Sequence, residues 1–334
     1  MKVLLTGAFG NIGTSALEEL LKKGHEVRCF DLRTKANEKI AKKYEGKIQV
    51  FWGDLRKPED VAFAVHDRDV VIHLAFVIPK LSATGVGSEE RPHWAREINV
   101  GGTRNLLQAM KALPHPPKII FASSYHVYGR TQDQLPPRVV ADPLHPVEHY
   151  ARHKVACERM VKSSGLDWAI FRFAAALPVR LILDPGMFDV PLNNRIEFVY
   201  REDVGLALAN ALDTDEIWGR VWLIGGGPRC QYYYREIVEK VLDTVGIGML
   251  PEEAFGTVPY STDWLDTSES QRVLQFQRHT LDDYLQDVRK ALGIRRFFVR
   301  LFRPLVRAWL LRRSPYYKRR KPSKPQVQEA DSLT

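Results

Sequence analysis

The sequence predicts an α/β fold: a doubly wound parallel sheet, a small C-terminal substrate-binding lobe and a basic amphipathic C-terminal tail. Two observations support the sheet. Short apolar segments alternate with helical patterns up to about residue 173, and a glycine-rich turn follows the first apolar segment. Strands that alternate with helices at this spacing form a parallel sheet with right-handed crossovers, and two such halves make a doubly wound sheet.

The elements are predicted in chain order. Strands are expected at residues 3–5, 26–30, 48–52, 70–74, 118–122 and 168–173, and helices at 12–23, 36–44, 58–65, 92–112 and 147–164. Beyond residue 173 the alternation loosens, with helices expected at 201–212, 232–245 and 281–292 and a strand at 221–224. We therefore expect a first domain over 1–175, a mixed lobe over 176–294 with elements returning to the first domain, and a partly disordered tail over 295–334.

Composition excludes several classes of protein. The chain of 334 residues is 45% apolar and 27% charged, which excludes global disorder and low-complexity repeats. Its three widely spaced cysteines form neither a disulfide scaffold nor a metal-binding motif, so we expect no metal site and a reducing, cytoplasmic setting. The first segment is interrupted by glycines and followed by charges, unlike a secretory signal, and no apolar run is long enough for a conventional transmembrane helix.

The basic charge is concentrated in the tail. Residues 295–334 contain twelve Lys and Arg and two acids, a net charge of +10, so the +9 of the whole chain leaves −1 for residues 1–294. A nearly neutral body argues against specific nucleic-acid binding by the fold itself.

The tail has the pattern of an interfacial helix. A basic stripe lies opposite an apolar stripe: Arg296, Arg300, Arg303 and Arg307 against Phe298, Phe302, Leu305 and Trp309. With the basic cluster at 318–321, this pattern predicts that residues 295–321 bind an anionic membrane surface, with the arginines on lipid phosphates. The alternatives are packing on the protein's own body, an oligomer contact and nonspecific nucleic-acid binding.

The glycine-rich turn is the first candidate ligand site, because ligands of an open parallel sheet bind beyond the carboxyl ends of its strands. Residues 6–13 read TGAFGNIG, and a helix is expected to begin near Ile12. Glycines allow the backbone to approach a pyrophosphate closely, and a helix N-terminus attracts its charge. The turn therefore predicts dinucleotide binding, with a plain glycine turn as the alternative. The predicted contacts are Gly7, Phe9, Gly10, Asn11, Ile12 and Gly13.

Asp31, at the end of the second strand, predicts which dinucleotide binds. Its carboxylate can accept hydrogen bonds from both ribose hydroxyls and would repel a 2′-phosphate, which favours NAD. Arg33, two residues on, could instead bind that phosphate, so NADP is the alternative.

The ends of the third and fourth strands complete the predicted cofactor site. Asp54 and Leu55 follow the third strand, where Asp54 could meet the adenine amino group or merely begin the next helix. Leu74 and the small Ala75 follow the fourth strand and leave room for the cofactor. His73 is interpreted as a packed core histidine rather than a base.

Three residues form the candidate catalytic group. Ser124 ends the fifth strand, and Tyr150 and Lys154 stand at i and i+4 on the next helix, where they share one face. An ammonium beside a phenol lowers the phenol's pKa, so we expect Tyr150 to act as acid/base while Ser124 holds the substrate oxygen. By itself such a pair is common on solvated helices, and its position after the fifth strand makes it a candidate.

Together these residues resemble an extended short-chain dehydrogenase/reductase of the NAD-dependent epimerase/dehydratase group, through about residue 294. The similar segments are TGAFGNIG (6–13), Asp31, GDL (53–55), HLA (73–75), NVGGTRNLLQAM (99–110), SSYHVYG (123–129), YARHK (150–154) and REDVGLAL (201–208). The resemblance implies a Rossmann fold, NAD(P) bound across the sheet and a Ser/Tyr/Lys triad.

The resemblance also implies individual roles. Aligning on the VYG segment at 127–129 makes Ser124 the triad serine, and Lys154 would both lower the pKa of Tyr150 and bind the nicotinamide ribose. Asn99 would support the cofactor, or alternatively cap the helix that follows it. Members of the group often dimerise through the helices predicted at 92–112 and 147–164, so we expect a homodimer.

Two departures from the group bear on the substrate. Sugar-nucleotide epimerases usually carry an Asn shortly after the arginine of the sixth strand, but here Arg172 and Phe173 are followed by three alanines. The segment 179–197 is also short, and its Arg180 and Arg195 are either phosphate ligands or surface charges. We therefore expect a smaller or more lipophilic substrate in an apolar pocket, with core packing as the alternative role of each member: Phe76, Val77, Ile78, Tyr125, His126, Ala175, Met187 and Phe188.

Three functions are consistent with the sequence. The leading hypothesis is an NAD-dependent oxidoreductase that interconverts a secondary alcohol and a ketone on a small or lipophilic substrate, with Tyr150 as acid/base. The alternative is an NAD-dependent sugar-nucleotide epimerase or dehydratase; dehydration is disfavoured because Tyr125 and His126 stand where an Asp-Glu pair is expected. The third is a non-catalytic dinucleotide sensor held at the cytoplasmic face of a membrane, against which the complete triad argues.

Overall fold

The computed structural model describes residues 1–79, 85–179 and 184–317. Its strands are β1 Lys2–Thr6, β2 Glu26–Asp31, β3 Gln49–Trp52, β4 Val70–His73, β5 Lys118–Ser124, β6 Trp168–Phe173, β7 Arg195–Glu197, β8 Arg220–Ile224 and β9 Gln231–Tyr233. Its helices are α1 Asn11–Lys22, α2 Lys35–Ala41, α3 Pro58–Val65, α4 Pro92–Arg96, α5 Gly102–Lys111, α6 His149–Lys162, α7 Arg201–Asn210, α8 Tyr234–Val245, α9 Ser268–Leu274, α10 Leu281–Leu292, α11 Arg295–Leu301 and α12 Arg303–Arg313.

The main sheet is parallel and has the strand order β3-β2-β1-β4-β5-β6-β8. The order reverses between β1 and β4, so the sheet is doubly wound and the predicted fold class is confirmed. The six strands predicted up to residue 173 begin and end within two residues of the predicted positions. Apolar residues along these strands, apart from the edge strand β3, are buried on both faces, as expected for a sheet covered by helices.

Helices cover the sheet in two layers. Apolar residues of α1 and α7 pack on one face, and those of α3, α5 and α6 pack on the other. Helices α1 and α7 approach each other at Gly205, where a Cβ would lie 2.5 Å from the carbonyl carbon of Ser15. Because β8 and α7 belong to the main sheet and its cover, part of the chain beyond residue 176 returns to the first domain.

The helix predicted at 92–112 is interrupted. Helix α4 ends at Arg96, a π-helical turn spans Glu97–Gly101, and α5 begins at Gly102. The side chain of Asn99 bonds to the backbone of Val77 from inside this turn. Such turns are frequent at functional sites, and the sequence pattern, which has helical spacing throughout, did not reveal this one.

The second lobe has its own apolar core. The antiparallel pair β7 and β9 packs with α8 and α10, and the core includes Phe188, Phe198, Leu242 and Leu285. Strands β7 and β9 were not predicted because three residues are too few to show an alternating pattern.

Helices α11 and α12 pack on this lobe, so the predicted orientation of the arginines toward lipid was wrong. The Nε of Arg296 donates to the carbonyl of Thr244 at 2.7 Å, and the Nε of Arg303 donates to that of Ile247 at 2.8 Å. Arg307 donates to three consecutive carbonyls, those of residues 247–249. The carbonyl of Thr244 lies in the last turn of α8, and those of residues 247–249 belong to the segment that follows the helix, so the arginines satisfy backbone acceptors at and just beyond its end.

The tail helix is interrupted near Pro304, and its last part is not described by the structure. The chain breaks between α11 and α12 at Phe302, close to Pro304. The basic cluster at 318–321 and the predicted disorder beyond it lie outside the described residues. No helix within the described ranges combines the length and the apolar character needed to cross a bilayer.

Candidate active site

The turn after β1 leaves no room for side chains at its glycines. Gly7 has a φ of 68°, a left-handed conformation that favours glycine, and a Cβ there would lie 2.8 Å from the backbone nitrogen of Ala75. A Cβ on Gly13 would overlap the carbonyl oxygen of Gly7. The turn therefore packs directly against the end of β4, and its backbone forms a cradle.

Helix α1 presents unused donors at this cradle. It begins at Asn11, and no side chain among the described residues caps it or places an acid in its first turn. The amide of Asn11 donates to the carbonyl of Ala176 at 3.2 Å, and Ile12 is half-buried against the core. Free N–H groups at a helix N-terminus fit the pyrophosphate of a dinucleotide, so the residues present fit the predicted cofactor.

Asp31 lies beside the same turn. Its carboxylate accepts hydrogen bonds from the backbone of Phe9 at 3.0 Å, from the backbone of Leu32 and from the amide of Asn37. Burial raises the pKa of Asp31 above its usual value. The carboxylate thus fixes the turn and remains half-exposed at the end of β2, where a ribose would approach.

Arg33 forms an ion pair with a neighbouring acid in the structure. Its Nε is 2.8 Å from the carboxylate of Glu38, and its side chain is largely exposed. An arginine already paired with an acid is a poorer ligand for a 2′-phosphate, which agrees with NAD rather than NADP.

Asp54 and Leu55 stand at the end of β3 in different surroundings. Burial alone would raise the pKa of Asp54, but hydrogen bonds from the side chain and backbone of Arg56 hold it below its usual value. Leu55 is buried under Gly102, and a Cβ added to Gly102 would lie 2.7 Å from the Cβ of Leu55. Asp54 is therefore an ionised hydrogen-bond acceptor just beyond the end of β3, and the next residue, Leu55, packs in the core.

The end of β4 lies against the glycine-rich turn. The backbone of Ala75 donates to the hydroxyl of Thr6 at 3.2 Å, and Leu74 is half-buried. His73 is fully buried between the hydroxyls of Thr6 and Thr103, at 2.7 and 3.0 Å. Burial lowers the pKa of His73 to about 3, so it is a neutral core histidine, as predicted.

Ser124, Tyr150 and Lys154 come together at the carboxyl end of β5. The hydroxyl of Ser124 lies near enough to the phenol of Tyr150 to lower its pKa, and it accepts a hydrogen bond from the backbone of His126 at 3.3 Å. Lys154, one turn along α6, is buried and donates to the carbonyl of Ala122 at 2.5 Å. The predicted triad residues therefore lie next to one another at the sheet edge that also carries the glycine-rich turn.

The expected lowering of the Tyr150 pKa is not found, so this prediction was wrong for the structure described. Burial raises the pKa of Tyr150 to about 12, and the neighbouring hydroxyl of Ser124 offsets only part of the effect. The Nζ of Lys154 lies 5.7 Å from the Tyr150 ring centre and 3.4 Å from that of Phe76. Burial lowers the pKa of Lys154 to about 7, so its charge is largely lost above neutral pH.

Asn99 supports the site indirectly and caps no helix. Its oxygen accepts from the backbone of Val77 at 2.7 Å, and its amide donates to the carbonyl of the same residue at 3.0 Å. These two bonds fix the chain just after Ala75 and beside Phe76. A direct contact between Asn99 and the cofactor stays a prediction.

Aromatic rings surround Tyr150. Phe76 and His126 both meet it edge-on, with ring centres 5.7 and 5.9 Å away. His126 also meets Tyr260 edge-on at 5.7 Å, and its Nδ1 is 3.8 Å from a carboxylate oxygen of Glu148. The outer side of Tyr150 is therefore mostly apolar, with one histidine and one carboxylate.

Three residues near Tyr150 were not predicted from the sequence: Glu89, Glu148 and Tyr260. Glu89 accepts hydrogen bonds from the backbones of His149 and Tyr150, at 3.0 and 2.9 Å, and so satisfies the first donors of α6. Nothing local in the sequence joins it to a helix some 60 residues away. Glu148 immediately precedes that helix, which was a usable signal, whereas Tyr260 comes from a distant loop.

A buried ion pair lies behind the triad. Arg172 donates through Nε and a terminal nitrogen to both oxygens of Glu158, at 2.9 and 2.8 Å, and another terminal nitrogen reaches the Tyr128 hydroxyl. Ser123 donates to Glu158 at 2.6 Å. Bidentate geometry and the extra partners satisfy charges that would otherwise be costly to bury, so this network rigidly holds the ends of β5 and β6.

Other predicted pocket residues have structural roles. Arg195 pairs with Asp263 at 2.7 Å and donates to several backbone carbonyls, so the predicted phosphate role is not supported. Val77, Tyr125 and Phe188 are buried core residues. Arg180 lies outside the described residues.

The family of the chain follows from a comparison with family models. The model of the NAD dependent epimerase/dehydratase family matches residues 3–177, which is more than half of the chain. The chain belongs to this family. The match covers the glycine-rich turn, the triad and every strand from β1 to β6, and the family's description names NAD, the cofactor predicted from the sequence.

Curated relatives of the chain differ in the activity that their names give. A UDP-glucose 4-epimerase from Halalkalibacterium halodurans is 32% identical over 181 residues, 52% of this chain and 50% of that protein. A 3-beta-hydroxysteroid dehydrogenase from Mycolicibacterium neoaurum is 35% identical over 110 residues, 32% of this chain and 28% of that protein. The chain thus spans half or less of the length of these relatives.

A solved structure shares the fold over most of the chain. The UDP-glucuronic acid 4-epimerase from Bacillus cereus, solved with UDP-glucuronic acid and NAD, superposes with a TM-score of 0.72. The superposition covers 87% of this chain and 99% of that one, at 23% identity. The second lobe therefore belongs to the shared fold, although the family match ends at residue 177.

Proposed function

We propose that the protein is an NAD-dependent sugar-nucleotide epimerase. The observation that carries the proposal is the placement of Ser124 and Lys154 beside Tyr150, at the sheet edge that bears the glycine-rich turn. The epimerases among the relatives support this reading over the smaller or lipophilic substrate that the sequence favoured.

NAD would be held by residues that fit it. The N–H groups at the start of α1 would bind the pyrophosphate, the carboxylate of Asp31 would accept from the ribose, and Asp54 would lie at the adenine end. Lys154 would donate to the nicotinamide ribose. When bound, NAD supplies a hydride acceptor that gives the hydride back within the same turnover.

The protein's own residues would move the proton. Tyr150, once deprotonated, takes the proton of a substrate hydroxyl, and it later returns that proton to the ketone oxygen. Ser124 donates a hydrogen bond to the same oxygen and orients it. Phe76 and His126 hold the ring of Tyr150 from two sides, so the oxygen atom of the phenol has one position.

The substrate assay separates this proposal from its alternative. Purified protein with NAD is offered UDP-glucose, UDP-glucuronic acid and, separately, a hydroxysteroid, and both the products and the reduced-nicotinamide absorbance are followed. We expect a UDP-sugar to be epimerised without net accumulation of NADH. Stoichiometric accumulation of NADH with the hydroxysteroid alone would contradict the proposal.

A lipophilic secondary alcohol is the second candidate substrate. The apolar rings around Tyr150 and the three alanines after Phe173 favour it, as does the similarity to a hydroxysteroid dehydrogenase. In that case NADH would leave the enzyme after each turnover.

We further propose a homodimer through the outer faces of α5 and α6. These helices pack against each other and expose Arg104, Gln108 and Arg152. Sedimentation of the full chain at several concentrations tests the dimer, and a monomer at every concentration would contradict it.

A further inference from the structure

The outer face of α11 and α12 is the largest exposed concentration of apolar side chains in the described chain. Large apolar residues are mostly buried elsewhere, but here Ile294, Phe297, Phe298, Leu301, Phe302, Leu305 and Trp309 are between 42% and 75% exposed. We call these seven residues the tail face. Contiguous exposed apolar surface on this scale marks an interaction site.

The orientation of the tail face is fixed rather than accidental. Arg296, Arg303 and Arg307 bind backbone carbonyls at and just beyond the end of α8, and Leu310 is fully buried in the core of the second lobe. The hydroxyl of Ser314 adds a bond to the carbonyl of Ala254 at 2.6 Å. With one side of both helices attached in this way, the aromatic side must point outward.

Basic side chains border the tail face. Arg295, Arg312 and Arg313 are exposed, and none of them lies within 4.0 Å of a carboxylate among the described residues. The guanidinium of Arg313 covers the ring of Trp309 at 4.3 Å. The tail as a whole carries a net charge of +10 against −1 for the body.

The end of the chain supplies more charge and little apolar cover. Residues 318–334 contain five of the twelve basic residues of the tail and only two large aliphatic residues, Val327 and Leu333. Such a segment has too few apolar side chains to shield the tail face.

We propose that the tail face binds the surface of an anionic lipid bilayer, with α11 and α12 lying in the plane of the interface. The aromatic and aliphatic side chains enter the boundary between headgroups and acyl chains, and the bordering arginines meet lipid phosphates. This differs from the pattern-based prediction, since the arginine stripe at 296, 303 and 307 attaches the helices to the protein.

Charge favours a bilayer over a second copy of the chain. In a symmetric dimer the same patch meets itself, so two tails of +10 each would be brought together and would repel. An anionic bilayer instead neutralises that charge and accepts the apolar groups at the same time.

Vesicle flotation of the full chain tests the proposal. The vesicles contain either phosphatidylglycerol mixed with phosphatidylcholine or phosphatidylcholine alone. We expect the protein to float with the anionic vesicles, and the variant Phe298→Ser/Leu301→Ser/Leu305→Ser to bind them at least about tenfold more weakly, because three apolar groups are lost.

A second variant tests the charge. Arg312→Gln/Arg313→Gln should weaken binding to the anionic vesicles about thirtyfold, since each basic residue near such a surface contributes about fivefold. The matched control is Leu135→Ser/Val258→Ser, which removes two exposed aliphatic groups outside the tail and should bind like the parent. Equal unfolding temperatures establish that the variants are folded.

Three results would overturn the proposal. The first is a parent protein that does not float, or that floats equally with both kinds of vesicle. The second is a serine variant that binds as tightly as the control. The third is a dimer that the serine variant alone dissociates, which would assign the tail face to a second copy of the chain.

Discussion

Lys154 and Tyr150 show how burial sets the protonation of the candidate catalytic group. Burial removes water from both side chains and disfavours their charged forms, so the pKa of Lys154 falls to about 7 and that of Tyr150 rises to about 12. The i, i+4 spacing correctly predicted that the two residues are neighbours. It could not predict that the ammonium lies over Phe76, because spacing contains no information about desolvation.

Replacement of Lys154 should stabilise the fold while abolishing activity. The folded chain binds fewer protons than the unfolded chain between about pH 7 and pH 10.5, so Lys154 makes stability rise with pH across that window, and its full cost remains below pH 7. We expect Lys154→Met to increase the free energy of unfolding at about pH 6 by on the order of 2 kcal/mol.

Urea unfolding of the parent and the variant at about pH 6 and at about pH 10 measures this difference. The two proteins should approach equal stability at the higher pH. A variant that is less stable than the parent at the lower pH would show that the ammonium stabilises the fold.

At the scale of elements, strand ends were predictable, whereas the buried side of the tail helices was not. The period of the apolar residues located β1 to β6, and the residues following these strands lie at one edge of the sheet, because parallel strands share their direction. The spacing of basic and apolar residues in α11 and α12 gave two opposite faces. It could not say which face is buried, since that depends on backbone carbonyls at and just beyond the end of α8, which are distant in sequence.

Arg307 is the residue on which the attachment of α12 depends most. It donates to three backbone carbonyls, and its removal would leave them without these donors. We expect Arg307→Ala to destabilise the packing of α12 by about 1–3 kcal/mol. Hydrogen exchange of the amides in α12 measures the loss.

The control is Arg312→Ala, which removes an exposed arginine of the same helix. It should leave the exchange of α12 unchanged. Equal exchange in the two variants would mean that Arg307 does not hold the helix.

At the scale of the whole molecule, the fold class and the triad's neighbourhood were accessible from sequence, whereas the substrate was not. Glycines, Asp31 and the Ser/Tyr/Lys residues occupy fixed places in a doubly wound sheet, so local motifs sufficed to bring them together. The surroundings of Tyr150 depend on Glu89, Glu148 and Tyr260, which come from separate segments and meet only in the folded chain. The favoured lipophilic substrate rested on a missing Asn and a short segment, whereas a curated relative that is 32% identical over 181 residues is a UDP-glucose 4-epimerase.

The most direct test of the account follows one hydrogen atom. UDP-glucose deuterated at C4 is incubated with the NAD-loaded protein, and the product is analysed by NMR, with Tyr150→Phe measured in parallel. We predict an epimer that keeps deuterium at C4, and a variant about 100-fold to 10,000-fold slower, because the general base is lost. A product that has lost the deuterium, or a Tyr150→Phe variant as active as the parent, would contradict the account.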